Sequence, residues 1–298
     1  MRSTMLTLSL LAFLGLAPQT LPAQTPATVA MSAVAAADPS IQLQELVRQF
    51  RSNDLAALVR GSLPPSHYQR LLDKYEEARL KPTTEAQRAE FTEGLQKLIA
   101  PDAVDQLMAE IEPKLRERAA QSEGMILLGL GAMNMAITSP DSELADEQRE
   151  MLKRALPGIE AWIIETDFFS ADTLRDALTL VADAARRTGI SELDQLKMLS
   201  FDQLLGHGGR LLAAGKQAVK LYGIDVDAIA ATARMEVLEV EGDEARVRTT
   251  VTVFDAPLHF EQSLVLVEGR WYTREAAADW NEHVHIELGG DPSVESEG

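Results

Sequence analysis

The chain contains no cysteine. That excludes disulfides, thiol nucleophiles, cysteine-held zinc and iron–sulfur clusters, and it removes the thiol on which a bacterial lipoprotein anchor is built. Histidine is scarce, with five among 298 residues, and aromatic side chains make up only 5%. Positive charge is short as well: 28 lysines and arginines against 46 acids give a formal net charge of -18. Such a field repels phosphate backbones and anionic lipid surfaces, so no nucleic-acid partner is expected. The local basic groups, Lys114, Arg116 and Arg118 in "PKLRER" and Arg186 and Arg187 in "AARR", sit among acids on helical segments and read as solvated ion-pairing faces. No G-x-S-x-G nucleophile elbow occurs, and Gly124, Gly129 and Gly131 in "GMILLGLGAMN" lack the spacing of a dinucleotide loop. No cofactor is expected. Long apolar runs are missing too: Met5 to Ala17 and Met125 to Thr138 both fall short of the roughly 20 residues a membrane span needs, so no integral span is expected.

What is present begins with "MRSTMLTLSLLAFLGLAPQTLPAQ". Arg2, the apolar run and Leu21-Pro22-Ala23 have the three-part form of a secretory signal peptide over 1–23. The expectation is a periplasmic protein cleaved near Ala23, since an exported chain without disulfides suits that compartment. Residues 24–38 are low in complexity and read as a flexible leader, and 288–298 read as a disordered tail.

Between them the pattern is helical over 39–233. Ser40 and Asn53 are candidate caps, Thr84 with Gln87 and Ser200 with Gln203 form capping boxes, and Ser191 with Asp194 marks a further start. Ser170 caps a helix that closes on Gly189. Pro113 is expected to start a new helix or kink one, and a helix is expected to end before Pro157. At Met235 the period changes to two. "RMEVLEV", "ARVRTTVTVF", "LHFEQSLVLV" and "RWYT", divided by turns at "EGDE", "DAP" and "EG", predict an antiparallel meander of three to four strands within 234–287, followed by a helix starting at Thr273. The fold class is therefore α+β, a large multi-helix body followed by a small C-terminal meander packed on it. This meander after helices, ending in "VEGRWY", resembles the closing sheet of the nuclear-transport-factor-like cone-shaped folds over about Met235 to Thr273. Those folds host enzymes, binders and subunits alike, so the resemblance implies no function.

Few residues could carry chemistry. In "DWNEHVHIELGGD", His283, His285 and Glu287 alternate, and in a strand they would form a two-histidine, one-carboxylate metal face. The good helix formers after Thr273 instead put His283 in a last helical turn, which dissolves that face. "GHGGR" offers His207 as a catalytic candidate, although its glycines also suit close helix approach or bending. Met125, Met133 and Met135, with Leu127, Leu128 and Leu130, describe a helix apolar all round, either buried in the core or lining an adaptable binding surface. Trp162 and Trp271 are core aromatics or walls of a pocket, with Arg246 and Arg248 as its polar anchors if their face looks inward.

These residues favour a non-enzymatic periplasmic protein that binds an envelope protein, a peptide or an apolar small molecule through the methionine-rich segment. A metal-dependent or histidine-based hydrolase and a structural oligomer subunit are the alternatives.

Overall fold

A computed structural model describes residues 38–139 and 144–278. The signal segment, nearly all of the leader, the tail and the His283, His285 and Glu287 cluster lie outside them. Among the described residues, ten helices precede a four-stranded sheet and a final helical turn. The architecture is α+β, as the change of period predicts.

Local signals account for most helix ends. Helix α1 (Pro39–Arg51) is capped by Asp38, whose carboxylate accepts from Ser40 N at 2.8 Å. Asp38 takes the place expected of Ser40 because Pro39 suits the first helical position, where no donor is needed. Helix α2 (Leu55–Ser62) is capped by Asp54, which accepts from Ala57 N at 3.0 Å, while Asn53 adopts the left-handed conformation at φ 58. Helices α3 (Pro65–Leu80) and α4 (Glu85–Ile99) follow, and Thr84 and Gln87 close their expected box. Helix α7 (Ala171–Arg186) is capped by Ser170 and is followed by Gly189 at φ 71. Helix α8 (Leu193–Met198) starts one residue later than Ser191 implied, with Gln195 folding back onto the Ser191 and Glu192 amides. Helices α9 (Phe201–Lys220) and α10 (Val226–Ala231) open with the Ser200–Gln203 box and an Asp225 cap.

Neither Pro113 nor Pro157 ends its helix. Helix α5 (Ala103–Thr138) runs through Pro113, and α6 (Asp146–Glu165) runs through Pro157. Both prolines are exposed, as are Ala109 and Lys153 four residues earlier, so the carbonyls that lose a partner can turn to water.

The sheet comprises β1 (Arg234–Glu241), β2 (Glu244–Val253), β3 (Ala256–Val267) and β4 (Arg270–Thr273), antiparallel in that order. Its hairpins turn on two residues each. Phe254 and Asp255 (φ 49 and 61), then Glu268 and Gly269 (φ 52 and 80), take the positive φ values that match the strand twist. Ala245, Val247, Leu264 and Trp271 form a buried cluster, against which Leu43 of α1 and Met235, Val237 and Leu266 pack. Helix α11 (Arg274–Ala277) begins at Thr273, whose hydroxyl accepts from Ala276 N at 3.2 Å.

Both ends of the sheet's β4 side need edge protection, and helices supply it. At β4, the carboxamide of Gln42 from α1 substitutes for a missing strand: Trp271 N donates to Gln42 Oε1 at 2.9 Å, and Gln42 Nε2 donates to Trp271 O. Further along, β3 outruns β4, and its exposed edge meets α6, where His259 N donates to Met151 Sδ at 3.1 Å and His259 Nε2 pairs with Glu147 at 2.9 Å. Pro257, on the same edge parity, has no donor to protect. Lys216, almost fully buried on α9, joins three helices: it donates to Phe50 O at the end of α1, pairs with Asp227 of α10 at 2.7 Å, and lies 3.7 Å above the Phe50 ring. Such a buried cation is stable only when its donors are matched in this way.

Gln42→Ala removes both hydrogen bonds that the side chain makes to the Trp271 backbone, which should cost about 2–4 kcal/mol of stability. Gln42→Glu should recover little, because it presents an acceptor to a carbonyl. Urea unfolding of the two variants measures this, and near-wild-type stability in both would show that the Gln42 bridge is dispensable.

Candidate functional site

The segment from Gly124 to Thr138, the C-terminal part of α5, has no ionisable residue in a chain of net charge -18. It is not the buried helix that an all-round apolar pattern suggests. One row, Ile126, Leu130, Met133 and Ile137, turns inward, and Ile137 is buried. The opposite side is open: Met125 is 55% exposed, Leu127 63%, Leu128 76% and Met135 71%. Helix spacing explains the division, since residues three and four apart share a face and a helix packed on its neighbours turns one face inward. These four side chains present on the order of 500 Å² of apolar surface, as large as the most extensive patch usual on a monomer. Gly124, Gly129 and Gly131 lie along it, and a Cβ built at any of them would meet nothing within 4 Å.

The other candidates are engaged in contacts that hold the fold. Trp162 donates its indole N–H to Tyr222 O at 2.6 Å, meets Phe168 edge-on at 5.2 Å between centroids, and stacks on Phe254 at 5.5 Å. Phe254 is the turn residue with positive φ, and it sits so close to α6 that a Cβ on Gly158 would lie 2.5 Å from its own. This aromatic cluster fastens α6 and the α9 terminus to the β2–β3 turn. Trp271 is in the core beneath the sheet. Arg246 and Arg248 lie on the opposite face from Ala245 and Val247 and pair with carboxylates, Arg246 with Glu239 at 3.2 Å and Arg248 with Glu261 at 2.6 Å. The inward-facing condition for a pocket anchor is therefore not met by Arg246, which is exposed. Met133 takes the inner row of α5, while Met125 and Met135 take the outer one.

His207 lies within α9, with its Nδ1 3.1 Å from Arg210 Nη1. Its partner among the described residues is thus a cation, whereas a general base is oriented by a carboxylate. Partial burial, and after it the Arg210 charge, hold its pKa below the ordinary 6.5. The glycines beside it have a packing purpose: a Cβ on Gly208 would lie 2.7 Å from Leu55 Cδ2, and one on Gly209 2.3 Å from Asn53 O. "GHGGR" is therefore where α9 crosses the α1–α2 turn at close range. Among the described residues, no group of three or more histidines and carboxylates could hold a metal ion, and no helix is long and apolar enough to cross a membrane.

No family model matches the chain, and no curated protein or solved structure is detectably similar to it. The site must therefore be argued from its own geometry. Sequence reasoning found the apolar segment but not its sidedness, because an all-round apolar pattern does not say which row a neighbour covers.

Two outcomes follow. Gly209→Ala drives a methyl into backbone and should cost about 1–3 kcal/mol, whereas Gly206→Ala, with open space around its Cβ, should be neutral or gain up to about 1 kcal/mol of helix propensity. Thermal melts compare the two, and equal effects would refute the close crossing. A depressed histidine gives stability that is present above 6.5 and is lost as pH falls through the lower folded value. Acidifying from about pH 7.5 to 5 should therefore lower the wild-type Tm more than that of His207→Gln; parallel curves would show that His207 is not perturbed.

Proposed function

We propose that this protein is a non-enzymatic interaction protein of the periplasm, which docks an apolar helical element of a protein partner on the outer face of α5. The observation that carries the reading is the exposed, charge-free side formed by Met125, Leu127, Leu128 and Met135. An apolar area of this size is costly to keep in water and marks a surface that is covered in use. Methionine and leucine on a helix suit this role because their side chains repack against varied apolar shapes. Glycines between them let a partner backbone come near. The absence of charge on the segment leaves a partner no ionic contact to make there, so recognition rests on shape and burial. His207 favours no catalytic alternative, since its contact is Arg210.

The reading predicts a separation of binding from folding. Leu128→Gln and Met135→Gln change side chains already in water, so Tm should stay within about 2 °C of wild type. Photo-crosslinking from a probe at Leu127 in intact cells should yield a protein adduct that either change abolishes. Loss of stability without loss of the adduct would overturn the proposal.

A further inference from the structure

The docking reading of α5 leaves open what the partner helix is. On the outer face, Met125, Leu128, Ala132 and Met135 recur at i, i+3, i+7 and i+10, the spacing of the a and d positions in a coiled coil. All four are exposed, while Ile126, Leu130 and Met133 on the inner side are half-buried and Ile137 is buried. α5 thus carries two seams on opposite sides, and among the described residues only the inner one is covered. The outer seam is flanked by Gly124, Gly129, Gly131 and Ala136, and a Cβ at any of the three glycines would meet nothing. A second helix can therefore approach with its backbone close to α5, as small flanking residues permit.

The order of residues along the seam is itself informative. It is symmetric about position 130: Met125 and Met135 lie equally far from it, as do Leu128 and Ala132, Gly129 and Gly131, and Gly124 and Ala136. A two-fold axis there lays two antiparallel copies with Met125 of one against Met135 of the other. Leu128 of one then faces the small Ala132 of the other, and glycine lies beside glycine. A patch that is complementary to itself under a two-fold is what an isologous dimer requires. Charge points the same way. Two chains of net charge -18 repel, and this segment is where they can meet without bringing ionised groups together.

We infer that a second copy of this chain covers the outer face of α5, in an antiparallel helix pair centred on Leu130. The inference rests on the docking reading and names its partner. The exposed side chains offer on the order of 500 Å² per copy, below the ~800 Å² per partner of a standard interface, so the dimer is weak and dilution dissociates it. Added salt screens the like charges and strengthens it.

Because the chain lacks cysteine, introduced thiols report the pairing alone. Met125→Cys and Met135→Cys proteins, each checked by circular dichroism and Tm, are oxidised separately and as a mixture at about 100 µM, with sedimentation of the wild type and Leu128→Lys alongside. The expected result is a cross-link in the mixture that greatly exceeds either variant alone, together with a wild-type dimer that Leu128→Lys weakens at least about tenfold. Efficient cross-linking of each variant with itself would mean parallel pairing and overturn the inference. A wild type that stays monomeric, with no cross-link in the mixture, would overturn it too. In that last case, binding of a synthetic leucine-and-alanine-seam helix to the monomer, lost in Leu128→Lys, would leave the docking reading standing, and no binding would remove both.

Discussion

The structure depends on a contact between its beginning and its end. Gln42, in the first helix, completes the hydrogen bonding of Trp271 in the last strand, 229 residues away. A strand of four residues at a sheet edge has little to hold it, and Gln42 bonds both the N–H and the C=O that Trp271 turns outward. The Gln42 carboxamide presents an N–H donor and a carbonyl acceptor side by side, as a peptide group does, so it can stand in for a neighbouring strand where a hydrophobic side chain could not. Leu43, the next residue, enters the cluster of Ala245, Val247, Leu264 and Trp271. Through these two residues α1 is fixed to the sheet, and the helices between are closed into a loop that must pack on both. Lys216 continues the same logic on the far end of α1, where it satisfies the Phe50 carbonyl and brings α9 and α10 with it.

A second constraint is the unequal length of β3 and β4. The part of β3 that outruns β4 must be protected, and α6 covers it with Met151 and Glu147 while its Gly158 and Trp162 receive the β2–β3 turn. With α6 committed to the sheet, it offers α5 one side only. The inner row of α5 is half-buried, with Ile137 fully so, and the outer row is left to water. The exposure of that apolar face thus goes with α6 being engaged on the sheet, and it gives the molecule its candidate site.

Much of this was legible in residues. The change of period at Met235, the capping boxes at Thr84 and Ser200, and the turns in "EGDE" and at Glu268–Gly269 are local signals that the chain follows, whereas the middle turn falls at Phe254–Asp255, earlier than "DAP", with Ala256 and Pro257 already in β3. Local reasoning failed where a neighbour decided. Pro113 and Pro157 did not end their helices, because each ring faces solvent and packing on either side outweighs one missing donor. Ser40 and Asn53 yielded their capping places to Asp38 and Asp54, each through the conformation of the adjacent residue. "GHGGR" could be read as an oxyanion loop or as a close crossing, and only the position of Asn53 above Gly209 distinguishes them.

By itself, the sequence determined the class of fold, the order of its elements, the exclusion of cysteine chemistry and the charge-free apolar stretch in α5, since composition and periodicity belong to the chain whatever it packs against. The tertiary structure alone decided which row of that stretch is covered, that Trp162 and Trp271 hold the framework while Arg246 faces solvent, and that Gln42 serves as an edge strand. Each of these is a pairing of surfaces far apart in the chain. No local pattern encodes such a pairing, because burial is a property of two partners and a sequence describes them one at a time.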